Sequence, residues 1–251
     1  MLKRTFNKPG STQLNCFSPP VMLATFIIEI AFAVFAMWRY RLNTFARLTV
    51  LMLLFLALFQ ISEYFVCGGY GLTAQQWART GYVAITMLPP LGLHMLYVMM
   101  DRKGRRLVYT AYATAAAFII YFLSYTHAFS GYVCTGNYVI FQLATKSGLV
   151  YGMYYYGWLL TVLILGWRWL HSQANKAGKK IGAELLDRRR AVLALLLGYL
   201  IFLVPTAIAN TVDPSTRRGI PSIMCGFAVF FAIILTIYIL PKLSEHRTKA
   251  K

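Results

Sequence analysis

Apolar residues in this chain arrive in long unbroken blocks separated by short polar stretches, without the alternation of a strand or the stripe of an amphipathic helix. Seven blocks are close to twenty residues long: about 20–38, 48–67, 81–100, 107–126, 149–170, 191–211 and 220–240. At about 1.5 Å per residue, each is long enough as a helix to cross roughly 30 Å of hydrocarbon. Continuous runs exclude a transmembrane β-barrel, whose strands alternate. The pattern therefore predicts an all-α membrane protein, a seven-transmembrane-helix bundle occupying one membrane domain over 20–240. A polar leader, 1–19, precedes it and a basic tail, 241–251, follows. The first block runs through FIIEIAFAVFAMW with no small-x-small cleavage site at its end, so it reads as a span rather than a signal peptide.

Composition agrees, with 59% hydrophobic residues and only 13% charged, where soluble domains carry about 25% charged. The net charge of +18 raises the question of nucleic acid, and its distribution answers it. Of the 25 Lys and Arg, 18 fall in the connections after spans 1, 3 and 5 and in the tail. That asymmetry predicts an outer N-terminus and a cytoplasmic C-terminus. The basic charge then serves orientation and contact with the lipid bilayer's headgroups, with no nucleic-acid partner.

The connections RYRLNTFAR and DRKGRR read as basic turns. HSQANKAGKKIGAELLDRRR is longer, and its IGAELLDRRR end reads as a helical extension of span 6 with Arg188, Arg189 and Arg190 at the headgroups. On the other side, HAFSGYVCTGNYVIFQLATKSG is long and aromatic, suited to folding over the mouth of the bundle or lying in the interface. Pro89–Pro90 and Pro205 break the i→i−4 ladder and leave carbonyls in need of donors. Asp213-Pro214-Ser215 reads as ordinary turn chemistry. Tyr151 and Tyr154–Tyr156 read as packing near the outer interface, with lining a pocket as the alternative. No internal repeat supports an inverted-repeat transporter. No GxxxxGK[ST], GxSxG, HExxH or CxxC motif names a reaction or cofactor. Span 7 has no lysine for a retinal Schiff base, and His94 is the only histidine well inside a span, which disfavours bis-histidine haem.

Ionisable residues within spans are costly and are functional hypotheses by default. Glu29, Glu63 and His94 qualify. Gln60, Glu63 and Cys67 share one face of span 2, since residues three and four apart align on a helix. Gln60, Glu63, Glu29 and His94 are thus the candidate ligand-binding residues, with Glu63 and His94 weighed as a shared site against simple hydrogen-bonding between helices. Cys16, Cys67, Cys134 and Cys225 all fall toward the outer face on the expected topology. They are disulfide or thiol candidates, a pair tying the loop through Cys134 to a helix end being the favoured arrangement. Their spacing supports no metal site.

The junction Asn15-Cys16-Phe17-Ser18-Pro19-Pro20 resembles the opening of an uncharacterised bacterial seven-transmembrane-helix family with an N-terminal Cys-Phe-Ser motif. LLFLALFQISEYFV and YVAITMLPPLGLHMLYVMMDRKGRR are similar in kind, and the likeness covers about the first 110 residues. Here the motif follows a fifteen-residue leader rather than the initiator Met alone. The resemblance implies a seven-helix fold in a bacterial cytoplasmic (inner) membrane and prominence for Cys16, Ser18, Gln60 and Glu63; it implies no activity. The resulting expectation is an integral membrane protein that binds, senses or moves a small molecule or ion in the outer half of the bundle. The alternatives are a membrane enzyme using outer cysteines or a Glu/His pair, and an assembly subunit of a membrane complex with a protein partner.

Overall fold

The computed structural model describes residues 19–68, 71–125, 128–134, 139–143, 145–174, 183–212 and 220–244. The leader, with Cys16 and Ser18, lies outside them, as does the tail beyond residue 244. Helices α1 (Pro19–Arg39) and α2 (Thr44–Gly68) form an adjacent pair. Next come α3 (Ala74–Thr86), α4 (Leu88–Met99) and α5 (Arg106–Ser124). A two-stranded hairpin, β1 (Phe129–Cys134) and β2 (Val139–Leu143), precedes α6 (Thr145–Ala174) and α7 (Ala183–Val212). Helix α8 (Ile220–Ile233) continues through a π-helical segment, Ile234–Ile239, into α9 (Leu240–Leu243). With α3–α4 and α8–α9 each counted as one, seven spans are long and apolar enough to cross a membrane. Lipid is therefore the surrounding solvent.

Consecutive spans alternate in direction, which gives the bundle two distinct ends. The hairpin end carries the α2–α3 connection, the β-hairpin and the start of α8. The basic end carries the α1–α2 and α4–α5 connections, the end of α6 and the start of α7. The third span is the hub, 78% buried over its apolar window against 22–28% for the spans of α1, α5 and α6, which face lipid. Exposed Trp38, Tyr109 and Trp167 all sit toward the basic end, where an aromatic ring spans the boundary of hydrocarbon and headgroup.

Several boundaries depart from the hydropathy blocks for local reasons. The third span begins at Ala74 rather than 81, because Thr73 and Gln76 form a capping box. The Gln76 backbone N–H donates to Thr73 Oγ1 at 3.3 Å, and the Thr73 N–H donates to Gln76 Oε1 at 2.9 Å, satisfying two of the four orphan donors of a helix start. Helix α7 begins at Ala183, so the AELLDRRR stretch is helical. Arg188 there donates to the Met99 carbonyl at the end of α4 (3.4 Å) and pairs with Glu184 at 3.0 Å. At the same end, Asn43 caps α2 by accepting from the Ala46 N–H at 2.8 Å and donates to the Leu243 carbonyl at 2.9 Å. The long aromatic connection is the antiparallel β-hairpin, with a register shift between Phe129 and Gly131. Phe129 anchors it against Tyr82 and Phe122, with ring centroids 5.1 and 5.6 Å away.

The break at Met87 follows from Pro89 and Pro90. A proline at 90 has no N–H for the Thr86 carbonyl. The Tyr154 hydroxyl, from α6, donates to that carbonyl instead at 2.7 Å. The Thr86 hydroxyl donates to the Tyr82 carbonyl at 2.6 Å and lies 3.1 Å from the Tyr151 hydroxyl. Two tyrosines one turn apart on α6 thus occupy the polar gap that the prolines open. Tyr154→Phe is expected to lower unfolding stability in detergent by about 1–2 kcal/mol, the cost of an orphaned buried carbonyl. Denaturant titration against wild type checks it, and an unchanged midpoint would mean that the carbonyl finds another donor.

Candidate functional site

Glu29 sits ten residues into α1, at the middle of its 21-residue length. It is 0% exposed, and neither carboxyl oxygen has a hydrogen-bond partner among the described residues. Glu63 is 1% exposed, five residues before the end of α2, and engaged with its surroundings. Gln60, one turn earlier on the same face, is 2% exposed, and its Nε2 is unpartnered. Both glutamates lie within electrostatic reach of the Cys225 thiol on α8, and Glu63 also reaches Tyr82. Three elements, α1, α2 and α8, thus bring two buried carboxyl groups toward one thiol.

The tyrosines extend this polar cluster. Tyr155 is within reach of Cys225, Tyr151, Tyr156 and Tyr199, and Tyr151 within reach of Tyr82, Tyr154 and Cys225. Carboxyl, hydroxyl and thiol groups therefore lie within electrostatic reach of one another from α1 across to α6 and α7. Tyr151, Tyr154 and Tyr199 are buried against neighbouring helices. The sequence signal for them was the proline pair, because freed carbonyls at membrane depth demand donors from a neighbouring helix.

Beside this cluster lies a small cavity between α2, α4, α6, α7 and α8, with about 20 Å3 of room for the centres of water-sized molecules. Roughly 10–15 Å3 of such space holds one water, so an organic ligand does not fit here without repacking. Met52 and Leu56 of α2 line it, on the stripe that continues to Gln60 and Glu63. Tyr155, Tyr199, Met224 and Cys225 supply the other polar or polarisable atoms. The Tyr199 ring is wedged against Gly92 of α4, at a spot that a β-carbon would occupy, and is flanked by Phe202 and Phe231 at 5.4 and 5.3 Å.

His94 belongs elsewhere. It lies five residues before the end of α4, toward the basic end, where its Nδ1 is 3.2 Å from the Tyr112 hydroxyl of α5. With α3 and α4 running from Ala74 to Met99, His94 lies in the half of this span toward the basic end. Glu63 and His94 thus occupy opposite halves of the bundle. Of the cysteines, Cys225 is a buried free thiol. Cys16 lies outside the described residues, and only the backbone of Cys134, the last residue of β1, lies within them. Among the described residues no three His, Cys, Asp or Glu converge on a metal position.

No family model matches the chain, and no curated protein is recognisably similar to it in sequence.

Proposed function

We propose that this integral membrane bundle binds, senses or moves an ion in its hairpin half, with Glu29, Gln60 and Glu63 at the centre. The observation that carries the reading is Glu29, a fully buried carboxyl with both oxygens unpartnered among the described residues. Leaving such a group unmatched in an apolar interior costs several kcal/mol, a cost that an exchangeable proton or cation offsets. The size of the adjacent cavity favours an ion over an organic molecule. A purely structural assembly subunit calls for paired ionisable groups and a filled core, and neither condition describes Glu29 and its surroundings.

The chain's side of action follows from its charge. The basic end faces the cytoplasm and the hairpin end faces outward, supported by the 18 Lys and Arg gathered in the basic connections and tail. With that orientation, and with the resemblance at Cys16-Phe17-Ser18, the location is a bacterial inner membrane. A disulfide tying the hairpin to the end of α2 through Cys134 and Cys67 fits the same picture, supported by the contact of β2 with α2. An oxidising outer compartment would maintain it.

The test is reconstitution into liposomes, with tyrosine fluorescence and entrapped pH dye followed during proton, Na+ and K+ steps. Wild type is expected to respond to at least one ion, and Glu29→Gln and Glu63→Gln to lose that response. If either variant folds and keeps every ion response, the reading fails.

A further inference from the structure

The cavity's lining says more about the ion than its size does. Its donor-bearing residues are Met52, Met224, Cys225, Tyr155 and Tyr199; the remainder is hydrocarbon. A hard cation such as Ca2+ takes about six to eight oxygen ligands, and two phenols do not approach that number. Two thioethers and a thiol match a soft monovalent cation, which sulfur ligands select. Met224 S is already held in place, accepting from the Tyr156 hydroxyl at 3.6 Å. The buried Glu29 and Glu63 side chains lie within electrostatic reach of Cys225, which links this cavity to the ion-handling cluster above. The absence of a His, Cys, Asp or Glu triad among the described residues argues against Zn2+ and leaves the thioether set untouched.

We infer that the cavity bounded by Met52, Met224 and Cys225 is a binding site for a soft monovalent metal cation of the Cu+ type. This rests on the ion-handling reading above and names the class of ion. On binding, the Cys225 S–H bond breaks, a metal–sulfur bond forms, and the proton leaves to bulk water. The thiolate cancels the cation's charge, so the occupied sulfur site adds no net charge to the interior. No electron changes hands.

The experiment is a titration of the detergent-solubilised full-length protein, kept anaerobic, with Ag+ as a redox-inert probe and Na+, K+ and Zn2+ in parallel. Wild type is expected to show one Ag+ site absent from Cys225→Ser, releasing one proton per ion bound. Cys225→Ser should weaken that site by at least the roughly tenfold to hundredfold that losing a mere supporting partner causes. Met52→Leu conserves volume and is expected to weaken the same site, which keeps the test open if Cys225→Ser does not fold. Equal Ag+ binding in wild type, Cys225→Ser and Met52→Leu overturns the assignment. A Glu29-dependent response to protons, Na+ or K+ without Ag+ binding at Cys225 overturns the soft-ion assignment alone. Silence toward every ion overturns both readings.

Discussion

Gly92→Ala is expected to be the most damaging single-methyl change in this chain. A β-carbon at position 92 collides with the Tyr199 hydroxyl and would stand 2.9 Å from the ring carbon that bears it. The hydroxyl belongs to a buried ring held on two sides by Phe202 and Phe231, so it has nowhere to swing. Phe231 is itself fixed, because Gly198 lets it lie 2.5 Å from where a β-carbon would be. Overpacking usually costs about 1–3 kcal/mol, and with relief blocked on both sides the upper end, about 3 kcal/mol, is expected. Unfolding in detergent by increasing denaturant measures it. Tyr199→Phe in the same chain removes the colliding oxygen and is expected to recover part of the loss. No recovery would locate the strain in the α4 backbone rather than at Tyr199.

Glu29→Leu is expected to do the reverse: raise stability while removing ion response. The carboxyl occupies a fully buried position without a partner among the described residues, and an apolar side chain of similar size removes a desolvation penalty of about 1–3 kcal/mol. The companion change, Glu63→Leu, is expected to lower stability, since Glu63 is engaged with its surroundings and its removal strands those groups. Opposite signs would separate the two acids of the site, Glu29 held unmatched for function and Glu63 also holding its neighbours in place. If Glu29→Leu unfolds more readily than wild type, the carboxyl is structural and the proposed ion site loses its centre. A gain in stability with lost activity is the trade expected where function keeps a strained group in place.

Those two positions also mark what the sequence could convey. The seven spans were legible because an apolar block near twenty residues long is decisive without tertiary information. Their ends were less so, since Ala74 as a start depends on the Thr73–Gln76 cap, which hydropathy does not weigh. The hairpin at 129–143 was hidden in a segment whose aromatic residues suit an interface equally well. Glu29 and Glu63 stood out because charge at membrane depth is rare, yet nothing in the linear pattern says which faces of α1, α2 and α8 meet. Rotation of each helix about its axis decides that, and small residues such as Gly92, visible only as gaps in the pattern, set it. His94 illustrates the same limit: its place in span 3 was legible, but that it pairs with Tyr112 of α5 at 3.2 Å, in the opposite half from Glu63, depends on how the helices pack.

The bond between Tyr154 and the Thr86 carbonyl has a consequence for how the protein is made. Tyr154 is 68 residues downstream of the carbonyl it serves. During synthesis the third span enters the bilayer well before its donor has been translated. Until span 5 arrives, Thr86 presents a bare acceptor to hydrocarbon, water or the insertion machinery, and an unmet backbone group in lipid is expensive. The third span, hub of the finished bundle, is therefore incomplete on its own, and its maturation is timed by the emergence of a helix two spans later.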